Sequence, residues 1–363
     1  MKKKLLGILV CLCMAMTLAM LCACGSSQTE ESATTEESTS ADGQEATATE
    51  SEFTKAKAKI DEEMGVADLT PEEGEQFGLI LSNTSNEFWA TMETGAEDAA
   101  EEFGVKIDVQ AAESDVDYEG QLNIVETMIS KKYAALTVSP LSENNLVNGI
   151  ADANKAGTKV ILNGTLQDED AMAAADAKVD GIMEMDFNNQ GKMAGEFAAE
   201  KCGGQGQAAI IAGADGASNA DGRRDGAKAA MEEAGMEVVA VEQCDWDAQK
   251  AYDATKSIMQ ANPDVKAITC GNDDMAMGVL KALDEMGISD VVVVGNDLTS
   301  EAKQSIKDGK LSASVAMSPY LGGRVSVITM IKAAAGEEVG TVTDYIPMIL
   351  VSADNVDQMD DWK

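Results

Sequence analysis

The chain has no histidine among its 363 residues, and aromatic residues are scarce at 4%. Without imidazole, the Ser-His-Asp and Cys-His arrangements of nucleophilic catalysis and every histidine-based metal site are excluded. Positive charge is also in short supply: 27 Lys and Arg stand against 64 Asp and Glu, a net charge of −37. Such a surface repels nucleic acid and anionic lipid, because phosphate binding needs clustered Lys and Arg. Beyond position 24 the only cysteines are Cys202, Cys244 and Cys270. An odd number at wide spacing is no disulfide framework, so buried free thiols are expected, with a Cys202–Cys244 bridge left open. Stability must then come from ordinary large cores, and a chain of this length suits two domains.

A long apolar run occurs at the N-terminus. Lys2, Lys3 and Lys4 precede an uncharged stretch from Leu5 to Leu21, the pattern of a secretory signal and wrongly flanked for a transmembrane helix. Leu21-Cys22-Ala23-Cys24-Gly25 resembles a bacterial lipobox. That resemblance implies a signal peptide over 1–23 and lipidation at Cys24; a plain secretory signal with incidental cysteines is the alternative. Either way the chain leaves the cytoplasm. Residues 24–76 read as an acidic stalk rich in Ser, Thr and Glu, with too little apolar surface to offset chain entropy and enough like charge to stay extended. Lys55 to Met64 admits a short helix.

From Phe77 onward, β-branched runs alternate with Ala/Gly-rich helical stretches. The runs at 77–82, 105–110, 134–139, 159–164, 207–213, 237–242, 267–273 and 291–297 are nearly continuous in Val, Ile, Leu and Ala, as in parallel strands covered on both faces. Helices are expected near 87–103, 121–132, 143–156, 188–202, 219–235, 248–261, 274–287, 299–308 and 321–335. Gly157, Gly203, Gly235, Gly287 and Gly309 each follow one of them. The fold class is α/β, with two doubly wound Rossmann-like lobes; a TIM barrel would need eight even units and a ring of catalytic groups. In doubly wound sheets ligands bind beyond the carboxyl ends of the strands, and those ends carry Asn163, Asn272 and Asp297.

Where the first strand turns into its helix stands Ser85-Asn86-Glu87-Phe88-Trp89. Capping explains Asn86 and Glu87. It does not explain Phe88 and Trp89, which point about 100° apart on a helix and cannot both pack inside, so at least one should face a cleft. With Arg223-Arg224-Asp225-Gly226, Gly271-Asn272-Asp273-Asp274-Met275-Ala276-Met277-Gly278 and Val293-Val294-Gly295-Asn296-Asp297, this turn makes the body resemble the ribose/galactose-type periplasmic binding proteins, the type I solute-binding proteins of ABC importers. The resemblance implies lobes of 77–185 plus 318–346 and 186–317 plus 347–363, joined by three crossings near Met185–Phe187, Met317–Tyr320 and Ile346–Leu350. It implies that Phe88 and Trp89 sandwich a sugar ring, that Asn86 bonds a hydroxyl, and that Arg223 donates to ring and hydroxyl oxygens. Trp246 would form an aromatic wall, and Asn272 and Asp297 would read the ligand's rim. A monomer on the outer face of the membrane, held by its lipid alone and serving an importer permease, completes the implied picture, with no cofactor, metal or catalysis.

Two positions depart from the family pattern. Asn163-Gly164 stands where the family often has Asp-Arg, and Met317 where a Gln is common. The pocket is therefore expected to be less polar and roomier than one for ribose, suiting another monosaccharide, a deoxy-sugar or a sugar-derived molecule. A nucleoside or autoinducer-like signal bound for uptake or sensing is the alternative. Other readings are weaker. Asp115, Asp117, Glu119 and Glu126 nearly match a calcium loop, yet helix capping accounts for them. Gly213-Ala-Asp-Gly216 lacks the pattern of a phosphate cradle and reads as a lobe connection. An enzyme lacks an elbow nucleophile, and a sugar-responsive repressor would need a basic head where this chain has an acidic stalk.

Overall fold

The computed structural model describes residues 51–72 and 74–363. The expectations for the signal segment, Cys24 and the stalk up to residue 50 lie outside the described residues.

The first sheet contains β1 (Gln76–Leu81), β2 (Lys106–Ala111), β3 (Ala135–Val138), β4 (Lys159–Asn163), β5 (Gly181–Glu184) and β11 (Gly340–Thr343). They run in the order β11-β5-β4-β3-β1-β2, all parallel. The second contains β6 (Gln207–Ala212), β7 (Glu237–Gln243), β8 (Val265–Cys270), β9 (Val292–Asp297), β10 (Ala313–Ala316) and β12 (Ile349–Ser352) in the equivalent order β12-β10-β9-β8-β6-β7. Only β12 is antiparallel to its neighbour. The eight runs expected from sequence are all strands; β5, β10, β11 and β12 are additions of four residues each. Stretches so short, with small or exposed residues such as Gly340-Thr-Val-Thr343, carry no legible apolar pattern.

Helices flank both sheets: α2 (Glu87–Phe103), α3 (Tyr118–Ser130), α4 (Val147–Ala156), α5 (Glu169–Ala174) and α11 (Pro319–Ala334) on the first, and α6 (Phe187–Lys201), α7 (Ser218–Glu233), α8 (Ala248–Ala261), α9 (Asp273–Glu285) and α10 (Ser300–Lys307) on the second. The alternation along a strand divides each core in two. Phe77, Leu79 and Leu81 pack with Met92, Val325 and Met330, while Ile80 between them packs with Val125, Met128 and Ile150. In the second lobe Ala209 and Ile211 face α8 and α9, and Ala208 and Ile210 face α6 and α7. Gly157 and Gly287 end their helices with φ of 82° and 69°.

In both lobes the helices beside the crossings touch backbone to backbone. A Cβ on Gly191 of α6 would stand 2.0 Å from the Arg223 carbonyl oxygen of α7, and one on Gly95 of α2 would stand 2.0 Å from the Tyr320 oxygen of α11. Only glycine permits either approach. The chain passes between the sheets after β5, after β10 and after β11. Gly213 to Gly216 is not a lobe connection: it links β6 to α7 within the second lobe.

The stalk ends sooner than expected. α1 (Glu52–Glu63), capped by Ser51, buries Ala56 and Ile60 in the first lobe. Arg324, only 2% exposed, fixes it, donating from Nε and Nη2 to Asp61 at 2.7 and 3.0 Å and from Nη1 and Nη2 to Glu102 at 2.6 and 2.8 Å. The hydrogen bond from Arg324 holds the Glu102 carboxyl below its usual range. The short helix expected at 55–64 is there, but its docking was not legible, because its buried face consists of few residues and its partner charges lie far along the chain. Among the described residues Cys202, Cys244 and Cys270 are free, but Cys202 is only half-buried while Cys244 and Cys270 are buried.

Candidate functional site

The strand ends of the two sheets face each other across one cavity. All nine expected ligand-binding residues line it: Asn86, Phe88, Trp89, Asn163, Arg223, Trp246, Asn272, Asp297 and Met317. The space open to the centres of water-sized atoms is about 80 Å³, and one water needs roughly 10–15 Å³ on that measure. One small molecule fits, not a chain of sugars.

The second lobe supplies the charged reader. Arg223, 6% exposed on α7, donates from Nε to Gln190 Oε1 at 2.8 Å, from Nη1 to the Gly271 carbonyl at 2.7 Å and from Nη2 to Asp297 Oδ1 at 3.0 Å. A guanidinium has five N–H groups, so donors remain for a guest. Asp297 Oδ2 has no protein partner among the described residues. Burial raises the Asp297 carboxyl, against the pull of Arg223. Asn272 caps α9 through Oδ1, accepting from Met275 N at 2.9 Å, which leaves its Nδ2 as a donor. Capping and ligand reading thus coexist in one side chain.

Aromatic rings close the sides. Trp246 follows Asp245 through a turn with φ of 49° and 63°, and its indole lies where Cβ atoms on Gly213 or Gly271 would reach 2.4 or 3.2 Å. The Arg223 guanidinium sits 5.9 Å from the Trp246 ring and 5.7 Å from that of Phe187, within cation–π range. Phe88 and Trp89 both line the cavity, but they meet edge to face at 5.0 Å and 86°. They form one wall and do not sandwich a ring between them; Trp246 and Phe187 form the facing wall from the second lobe.

Two asparagines are committed elsewhere. Asn86 accepts from Phe88 N at 2.8 Å as the cap of α2 and donates from Nδ2 to Asp274 Oδ2 at 2.6 Å, across the cleft. It joins the lobes through one N–H of its amide, and the second N–H remains at the cavity wall. Asn163 accepts from the Tyr345 hydroxyl at 2.6 Å and donates to Ser139 Oγ at 3.2 Å. Beside Asn86, Glu87 accepts from Ser300 Oγ at 2.6 Å and Ser300 N at 3.1 Å. The lobes are therefore hydrogen-bonded shut at the rim.

A profile described as the periplasmic binding protein domain matches residues 77–338. The chain belongs to that family. Among curated relatives, the D-allose-binding periplasmic protein of Escherichia coli K12 is 35% identical over 261 residues, covering 71% of this chain and 84% of its own. The ribose import binding protein RbsB of Bacillus subtilis 168 is 31% identical, covering 69% and 78%. Among solved structures, an ABC transporter solute-binding protein from Actinobacillus succinogenes 130z with bound D-allose superposes with TM-score 0.73 at 28% identity, over 78% of this chain and 99% of that one. Another from Bacillus halodurans C-125, with bound myo-inositol, gives 0.73 at 26% identity, over 81% and 100%. The paired parallel sheets and their crossings are those of a type I periplasmic binding protein.

Within this periplasmic binding protein several lining residues were not expected from sequence. Asp115 was read as part of an acidic helix start, yet its neighbour Asp117 caps α3, accepting from Gly120 N at 3.0 Å, while Asp115 itself lines the cavity. Burial raises its carboxyl, against the pull of Asn83. Tyr345, Phe187, Ser139 and Asn219 also line the cavity. Tyr345 and Phe187 sit at chain crossings, a position that could have flagged them; Ser139 and Asn219 have no local signature. Met317 lies with Met92, Met185 and Ile346 in an apolar part of the wall.

Proposed function

We propose that this protein captures a monosaccharide or close polyol between its lobes and presents it to the permease of an ABC importer. In this reading it stands as a monomer on the outer face of the membrane, held by lipid on Cys24. It delivers its ligand unchanged. The observation that carries the proposal is the convergence of Arg223, Asp297 and Asn272 on one cavity walled by Phe88, Trp89, Phe187 and Trp246. Flat rings suit the C–H faces of a sugar, a guanidinium fork suits neighbouring oxygens, and a carboxylate accepts from neighbouring hydroxyls. D-Allose, bound by a relative, is the first candidate. The neutral Asn163–Tyr345–Ser139 chain and the methionine wall disfavour a pocket tuned to ribose.

Thermal-shift and calorimetric measurement against D-allose, D-ribose, myo-inositol, 6-deoxyhexoses and nucleosides tests this. A ligand at 100 times its dissociation constant stabilises by about 2.7 kcal/mol, a shift of a few degrees. Binding of a nucleoside and no sugar would transfer the reading to the alternative ligand class. Recovery of chemically altered sugar would establish an enzyme. A Cys24→Ser chain should leave the membrane fraction; one that stays there refutes the anchor.

A further inference from the structure

Asp297 and the residue after it, Leu298, both hold left-handed backbone, with φ of 104° and 59°. For residues other than glycine such conformations cost on the order of 1–3 kcal/mol each and persist only where the surroundings over-determine them. The surroundings here are two buried polar side chains outside the cavity lining. Asp273, 0% exposed in the first turn of α9, accepts from Thr299 N through Oδ2 at 2.8 Å. Its Oδ1 accepts from Ser314 Oγ at 2.8 Å, and Ser314, 0% exposed on β10, accepts in turn from Leu298 N at 3.0 Å. Both amides that follow Asp297 are thus tied, one directly and one through a hydroxyl, to a single carboxyl on a different strand-helix unit. The site for that carboxyl exists because position 295 is glycine: a Cβ there would lie 2.1 Å from Asp273 Oδ1.

We infer that Asp273 and Ser314 are positioning residues that lock the Asp297–Thr299 turn and so aim the Asp297 carboxylate into the cavity without touching the ligand. Capping cannot account for Asp273, since Asn272 caps α9 and Thr299 caps α10. Burial first, and then the neighbouring Asp297, drives the Asp273 carboxyl well above its usual range. An amide keeps a carbonyl acceptor for Thr299 N and turns the second bond round, its N–H donating to Ser314 Oγ, which has lone pairs for both that N–H and Leu298 N.

The inference rests on the reading of Asp297 as a ligand contact, so its test includes an arm that needs no ligand. In the full chain, Ser314→Ala, Asp273→Asn and Asp273→Leu are compared by amide hydrogen exchange at Leu298 and Thr299 and by calorimetry with D-allose. Ser314→Ala should speed exchange and weaken D-allose binding, each by about tenfold, the usual consequence of an unpaired buried donor. Asp273→Asn should stay near the parent in both, and Asp273→Leu should lose both. A role confined to fold stability would lower the melting temperature of Asp273→Asn and Asp273→Leu alike without restoring affinity in the amide variant. Unchanged exchange in Ser314→Ala, or equal loss of affinity in Asp273→Asn and Asp273→Leu, overturns the inference. If Asp273→Leu does not fold, Ser314→Ala decides. If D-allose does not bind the parent chain, the choice of D-allose as ligand is what fails, and exchange alone judges the clamp.

Discussion

The amide of Asn86 in the first lobe donates to the carboxylate of Asp274 in the second at 2.6 Å. Burial first, then Asp297, Glu301 and Glu87, pushes the Asp274 carboxyl up to about 6. Glu87 belongs to the other lobe, so separating the lobes removes it and part of the burial; this outweighs the lost Asn86 bond, the smallest influence and a lowering one, and lets the carboxyl fall back toward its ordinary range.

The sign of the resulting pH dependence follows. A group whose pKa is higher in the closed form favours closure while it is protonated. That advantage fades as the pH rises from about 4 to 6, and above 6 closure carries the whole charge penalty. Ligand affinity should therefore be higher near pH 4.5 than at pH 7.5, on the order of tenfold. Asp274→Asn keeps an acceptor for Asn86, and should flatten the profile and tighten binding at pH 7.5. Calorimetry of both proteins at the two pH values is the check; parallel profiles would remove Asp274 as the cause.

Arg223 and Asp297 are a buried pair at 3.0 Å, 6% and 8% exposed. Truncating one member leaves the other charge without its partner, which costs about 2–5 kcal/mol of binding, or at least roughly thirtyfold in affinity. Arg223→Ala and Asp297→Ala should each lose measurable sugar binding while retaining native circular dichroism. Near-parent affinity in both would place the site elsewhere.

Gly213 does not hold left-handed backbone, so alanine is conformationally allowed there, but its Cβ would meet the Trp246 ring at 2.4 Å. Gly213→Ala should displace the indole and reduce the ligand-induced fluorescence change to the part that Trp89 reports, with the melting temperature of the free protein little altered. The chain has three tryptophans, of which Trp89 and Trp246 line the cavity, so the signal is specific. A normal ligand response in this variant would count against the wall assignment.

Arg324 bridges α1, α2 and α11 from a fully buried position. Glu102 is half-exposed and Asp61 partly so, and water can take up much of their charge, so removing Arg324 costs less than breaking a fully buried pair, about 1–3 kcal/mol. Arg324→Ala should lower the melting temperature by several degrees and expose the chain near residue 65 to protease. A chain starting at residue 51 should melt like the full protein, whereas one starting at residue 66 should not. Equal melting of those two chains would show that α1 contributes nothing.

Much of this protein is legible locally. Apolar runs mark eight of the twelve strands among the described residues; six of these are covered on both faces, and the edge strands β2 and β7 keep the pattern while partly exposed. Strand ends point to Asn272 and Asp297 because a doubly wound sheet offers its ligand nowhere else. What the tertiary structure alone decided is which polar atoms are free. Asn86 and Asn163 have the right chemistry at the right places, but their amides are engaged by Asp274 and Tyr345, which lie 188 and 182 residues away along the chain. Likewise, the edge-to-face meeting of Phe88 and Trp89, the placing of Asp115 at the cavity and the docking of α1 through Arg324 depend on side chains brought together by packing. A sequence states which groups a chain carries, and local periodicity states where each points. Whether a donor is left for a guest depends on long-range partners, and only the folded arrangement supplies them.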